Sequence, residues 1–292
     1  MATMRDIKGR IRSVTTTKKT TKAMNLVSSA KMARARGKLN AANPYFTLVR
    51  RAISDILRTD ACTTLDHPAF EGGRSIEKTL VVVIANDRGL CGGYNTNVTK
   101  LAASLGVQLS EAGKEVAFLT IGNKARDFMR RGGANIIASY TGISESPSME
   151  DAREIMAEII DKYENREYDE VYICYTQFVS AITYTPSSLR LLPMTAEDFK
   201  DVEDRNISIM KFEPSTEEVL NYAIPKYLGT AMFECMITSA ASGQGATMTA
   251  MDSATENAEN IISDLTLMLN RVRQAAITQE ISEIVGGANA LS

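Results

Sequence analysis

The first fifty-odd residues repeat one seam at alternating steps of four and three. It runs through Ile7, Ile11, Val14, Lys18, Thr21, Asn25, Ser28, Met32, Ala35, Leu39, Ala42, Phe46, Val49, Ile53 and Ile56. Spacing of that kind, sustained over many turns, marks a helix that packs along its length against another. The last stretch, from about residue 226 to 290, answers with Met251, Ala254, Ala258, Ile262, Leu265, Leu269, Val272 and Ala276, broken by a single four-four step. Two such segments predict an antiparallel coiled coil whose arms each span roughly 80–90 Å at the helical rise. The alternative, two core helices of an all-α domain, conflicts with the usual helix length of about 8–20 residues. Seam positions Lys18, Thr21, Asn25 and Ser28 are polar, which a buried two-helix core does not favour. Ala23, Met24, Leu26, Val27 and Ala30 lie beside them, so the apolar face there is expected to turn towards another protein.

Between the arms the period changes. Residues 79–85 (TLVVVIA) form a continuous β-branched run, as in a strand buried on both faces. Further strands are predicted at 115–121, 135–139, 170–177 and 189–193, and helices at 94–109, 124–131 and 149–166. That alternation argues for a mostly parallel sheet covered on both faces. The predicted fold is α/β: a long antiparallel coiled coil of N- and C-terminal helices with an inserted Rossmann-like α/β domain. Its divisions are 1–57, the N-terminal coiled-coil helix; 58–78, a loop containing Asp66, His67, Pro68, Gly72 and Gly73; 79–213, the Rossmann-like domain; and 214–292, the C-terminal coiled-coil helix. Pro44 is expected to kink the first arm, because proline removes a helical hydrogen bond. Ser215 is a candidate N-cap with Glu217 and Glu218 in the first turn, and Pro225 is expected to interrupt the segment before the long arm begins.

Net charge is only −2 over 292 residues, but its placement is uneven. Up to Asn40 there are 11 basic residues against Asp6 alone, a balance of +10. From Asp252 onward six acids face Arg271 and Arg273, a balance of −4. The basic arm calls for an acidic partner. Nucleic acid is disfavoured because no aromatic residue precedes Tyr45 to serve as a stacking platform. The closing stretch 281–291 carries Glu283 as its only acid among small and apolar residues, which suits an apolar sleeve. No apolar run reaches the length of a membrane span, so direct membrane insertion is not expected. Cys62, Cys91, Cys174 and Cys235 are widely spaced, with His67 as the only imidazole, so no metal site is expected. Buried free thiols fit a reducing compartment.

One motif sits where phosphate loops occur: DRGLCGGYN at residues 87–95 follows a strand and opens a helix. Its spacing is neither G-x-G-x-x-G nor a loop closed by Gly-Lys-Ser/Thr. A tight turn that brings helix and sheet together is the simpler reading. No catalytic set is visible and no cofactor is called for. The alternative function to keep is a Rossmann-type nucleotide-binding enzyme with helical oligomerisation arms.

These residues carry a resemblance. RDIKGRIRSV at 5–14, TKAMNLVSSAKM at 21–32, the central DRGLCGGYN and RQAAITQEI at 273–281 resemble the gamma subunit of F-type ATP synthases, in order and nearly end to end. The resemblance implies a non-catalytic central rotor shaft that couples ion flow through the membrane c-ring to ATP synthesis or hydrolysis at beta-subunit sites. Implied partners are three alpha and three beta subunits, the epsilon subunit and the c-ring. By similarity, Met24 would lie near an acidic loop of beta, while Arg273, Gln274 and Thr278 would meet a beta loop higher up. The implied location is the cytoplasmic side of a bacterial inner (plasma) membrane, held peripherally, since neither a transit peptide nor the chloroplast two-cysteine insert is evident. The sequence departs from the family pattern at SGQGATM, residues 242–248, where an acid and an arginine are usual. Glycines in a helix interior cost about 0.8–1 kcal/mol each relative to alanine, so a weak point in the shaft is expected at Gly243 and Gly245.

Overall fold

The computed structural model describes residues 3–57, 69–70, 75–199, 213 and 215–291. The readings that concern Cys62, Asp66, His67, Pro68, Gly72, Gly73 and Pro214 lie outside the described residues. The chain divides into two compact units, Met1–Ser28 with Met248–Ser292, and Ser29–Thr247. Helix α1, Met4–Leu57, and helix α5, Thr216–Leu291, each contribute to both.

The first unit is an antiparallel helix pair. All the seam positions read from the sequence in this unit are buried or half-buried on both helices. The polar centre of the seam is not turned outward. Thr21 and Ser28 are buried, the Thr21 and Thr255 hydroxyls bond at 2.7 Å, and Asn25 Nδ2 donates to the Met248 carbonyl at 2.9 Å. Polar side chains are tolerated in such a seam when each finds a partner across it. Lys18 Nζ completes the row on Glu259 at 2.8 Å.

The second unit is built on a five-stranded sheet of order β3-β2-β1-β4-β5. Strands β1 (Lys78–Ile84), β2 (Glu115–Ile121), β3 (Ile136–Tyr140) and β4 (Glu170–Phe178) run parallel. Strand β5 (Tyr184–Leu192) closes the edge antiparallel to β4. The sequence reading recovered only its last residues, because a hairpin strand half-exposed on the sheet edge shows no long apolar run. Successive residues of β1 serve opposite faces, as the two-residue strand period requires. Leu80, Val82 and Ile84 pack with helix α4 (Met149–Glu164), Phe46 and Ile53 of α1, and α5 from Leu220 to Ala241. Val81, Val83 and Ala85 pack with α2 (Tyr94–Glu111) and α3 (Asn123–Arg131). Helix α4 starts on a reciprocal cap between Ser148 and Asp151. The turn from β2 into α3 depends on Gly122, at φ +95°, where a Cβ would lie 2.1 Å from the Ala85 carbonyl oxygen.

Neither proline ends its helix. Pro44 lies inside α1, and Pro225, expected to interrupt the last segment, lies inside α5. Burial on both sides of each holds the helix together: Ala35 and Phe46 around Pro44, Leu220, Ile224 and Leu228 around Pro225. Tertiary packing here outweighs the roughly 3 kcal/mol propensity loss of one interior proline.

Candidate functional site

The phosphate-loop position is filled by the chain itself. After β1, Asn95 in the first turn of α2 folds back: its Oδ1 accepts from the Asn86 backbone N–H at 2.9 Å and its Nδ2 donates to the Arg88 carbonyl at 3.0 Å. Asp87 accepts from the backbone N–H groups of Asn123 and Gly142 and from the Ser144 hydroxyl, at 2.7–3.0 Å. Cys91 and Tyr94 are buried with Ala246 of α5 and Tyr184 of β5, and Tyr94 donates to the Ser239 carbonyl at 2.9 Å. Burial raises the Cys91 thiol and the Tyr94 phenol above their ordinary ranges, so both stay protonated near neutrality. The loop ties sheet, α2 and α5 together, and the backbone N–H groups of Asn86 and Asp87 donate to Asn95 Oδ1 and the Ser144 hydroxyl.

The residues expected to be a weak point are instead tightly packed. From residue 235 to 246 every residue of α5 is buried. A Cβ on Gly243 would lie 2.6 Å from the Asn86 side-chain amide, and one on Gly245 would lie 3.0 Å from the Ala181 carbonyl oxygen and 3.4 Å from Met32 Sδ. The glycines make room for close approach, which corrects the expectation of a soft stretch.

In the first unit the useful surface is what the helix pair leaves uncovered. Beside the seam of α1, Leu26 is 64% and Val27 55% exposed, Ala23 and Ala30 are exposed, and Met24 is half-buried. Arg5, Lys8, Arg10, Arg12, Lys19 and Lys22 are exposed along the same helix. On α5, Arg273, Gln274 and Thr278 are all exposed. At 100° per residue Gln274 and Thr278 stand opposite the Val272 and Ala276 seam, facing away from α1. The exposed apolar residues Ile261, Leu267 and Met268 were not singled out from the sequence. Their only signal is an apolar type off the seam.

Helix α5 also outruns its partner. In the contacts Thr21 with Thr255, Lys18 with Glu259 and Asn25 with Met248, the paired residue numbers add to between 273 and 277. Met4, where α1 begins, therefore stands opposite roughly residue 270. Every residue from 277 to 286 is exposed, including Ile277, Ile281, Ile284 at 71% and Val285. The exposed stretch 277–286 is about 15 Å of helix. The same register puts Met24 about 35 Å along the pair from Gln274, so these candidates lie at two separate places on the helix pair. Among the described residues no group of three or more His, Cys, Asp or Glu side chains could hold a metal, and no helix is long and apolar enough to cross a membrane.

The chain thus combines an α/β unit with a helix pair that leaves a basic face and an exposed apolar stretch near one end. The family profile described as ATP synthase matches residues 3–291. The chain is 44% identical over 291 residues to the ATP synthase gamma chain of Desulfitobacterium hafniense, with all of both chains covered. It is 43% identical over 306 residues to the sodium-ion-specific ATP synthase gamma chain of Acetobacterium woodii, covering 99% of each. Among solved structures it resembles a chain of the Euglena gracilis mitochondrial ATP synthase, from an OSCP/F1/c-ring assembly, with TM-score 0.66 and 17% identity over 99% of this chain and 94% of that one. A chain of the Tetrahymena thermophila central stalk and c-ring structure gives TM-score 0.64 at 23% identity, covering 80% and 98%. The chain belongs to the ATP synthase gamma-chain family.

Proposed function

We propose that this chain is the central rotor shaft of an F-type ATP synthase, a non-catalytic subunit that couples ion flow through a membrane c-ring to nucleotide chemistry on beta subunits. The observation that carries this reading is the uncovered end of α5: ten exposed residues in a row, with isoleucines at 277, 281 and 284, on a helix that has outrun its partner. Such an end is stable in water only at a cost in exposed apolar area, about 25 cal/mol per Å². A surrounding sleeve of alpha and beta subunits removes it. Met24 forms one beta contact zone beside the basic face of α1, and Arg273, Gln274 and Thr278 form the other. The epsilon subunit and the c-ring are the remaining partners. The complex is membrane-associated, with this chain held peripherally on its cytoplasmic side.

The mechanism follows from asymmetry. The face with Leu26, Val27 and basic side chains differs from the face carrying Glu256 and Glu259. Three identical beta subunits around such a shaft meet different surfaces and are biased to different nucleotide affinities. A shaft meeting all three alike would shift nothing. Turning exchanges the three states in order, and reciprocity of coupling lets ATP hydrolysis drive the shaft in reverse.

Assembly with alpha and beta subunits, followed by ATP hydrolysis and ATP-driven ion pumping in vesicles, tests this reading. The full chain alone should give no heat of binding with ATP, ADP or NAD at micromolar concentrations. A stoichiometric micromolar nucleotide site on the isolated chain would sink the shaft-only reading and favour the nucleotide-binding alternative, with the loop at residues 87–95 as its site.

A further inference from the structure

Helix α5 is gripped on many sides where it crosses the end of the sheet. Ser239 Oγ accepts from the Thr176 backbone N–H at 3.1 Å, and the Ser242 hydroxyl donates to the Thr176 carbonyl at 3.2 Å. The two serines occupy both backbone groups of one residue of β4. Tyr94 holds the Ser239 carbonyl from α2, Asn86 lies against Gly243, and Ala181 of the β4–β5 turn lies against Gly245 with Met32 of α1 beside it. Ala246 packs on Cys91, Tyr94 and Tyr184. Six segments of the second unit (β4, α2, the β1–α2 loop, the β4–β5 turn, α1 and β5) thus enclose more than three turns of helix in which alanine, serine and glycine are the commonest residues, and residues 235–246 are all buried.

Small side chains give this contact a mechanical character. Where long side chains meet, a helix can roll through rotamer changes. At Gly243 and Gly245 the helix backbone meets the Asn86 amide and the Ala181 carbonyl, and a roll of one residue, about 100°, would put side-chain atoms where these glycines now leave space. It would also strip Thr176 of both hydrogen bonds, leaving buried polar groups unpaired.

We propose that this enclosure is the joint that fixes the angular phase of α5 against the sheet and so carries torque between them, with Ser242 and Gly243 as positioning residues. The proposal rests on the rotor reading. In that role the enclosure never touches nucleotide or ion. Its effect appears in how many ions are moved per ATP, because a helix that slips in phase delivers its faces to the beta subunits at the wrong angle.

The test uses the assembled membrane complex carrying this chain, with subunit composition checked for every variant. Gly243→Ala should lower ions pumped per ATP by about twofold or more while hydrolysis continues, and adding Asn86→Ala, which empties the space facing the new methyl, should restore the ratio. Ser242→Ala adds no atoms, assembles in the same space, and should lower the ratio in the same direction. Wild-type ratios in all three variants would overturn the proposal, as would a loss in Gly243→Ala that Asn86→Ala does not relieve together with an unchanged Ser242→Ala. Failure of the wild-type chain to support coupled pumping would instead strike the rotor reading, so the two failures are distinguishable.

Discussion

Replacing glycine by alanine at three helical positions of this chain should give opposite signs. Gly37 in α1 is exposed, and a Cβ there meets nothing within 4 Å. Gly37→Ala should therefore gain the full helix preference, about 0.8–1 kcal/mol. Gly243→Ala gains the same preference but sets a methyl 2.6 Å from the buried Asn86 amide. Overpacking of this kind costs about 1–3 kcal/mol, so the net effect should be a loss of about 0–2 kcal/mol. Gly245→Ala meets the Ala181 carbonyl oxygen at 3.0 Å, a backbone atom that yields less readily than a side chain, while Met32 Sδ at 3.4 Å can adjust. A net loss of similar size, about 0–2 kcal/mol, follows. Urea unfolding of the full-length chain, with each variant compared at constant slope, measures these differences. A Gly243→Ala variant stabilised as much as Gly37→Ala would refute the packing argument and bring back the soft-stretch reading of residues 242–248.

In the assembled complex, Met24→Lys and Arg273→Glu should each lower ATP-driven pumping per ATP while leaving the unfolding midpoint of the chain unchanged; wild-type pumping in both would remove these positions from the beta contact. Glu170 is buried, accepting from Lys114 at 2.7 Å, Thr79 at 3.3 Å and Tyr172 at 3.0 Å. Glu170→Ala should destabilise by about 3–5 kcal/mol, since Lys114 loses its partner in a mostly buried place, and a change under about 1 kcal/mol in urea unfolding would show that water replaces the carboxylate. Burial pushes the Cys174 thiol up to about 12 and raises Cys91 and Cys235 as well. A raised thiol pKa keeps the protonated, unreactive form across neutral pH, so alkylation at pH 8 followed by peptide mapping should leave all three unmodified in native protein and modify them in urea.

Both long helices, their pairing and four of the five strands were legible along the chain, because each rests on a local period that repeats many times. The seam could be counted from Ile7 to Ile56, and β1 announced itself as an unbroken β-branched run. The motif residues of the gamma-chain family were also plain in the sequence, and family membership followed from them. Other features depend on atoms distant in sequence, and only the tertiary structure decided them. Thr21 and Asn25 read as misfits in an apolar seam until Thr255 and the Met248 carbonyl came opposite them. Pro225 read as a break until Leu220, Ile224 and Leu228 were seen packed around it. Gly243 and Gly245 illustrate the limit most clearly. Propensity belongs to a residue and can be summed along a chain, whereas the space a missing Cβ leaves belongs to its neighbours, here Asn86 and Ala181, more than sixty residues away.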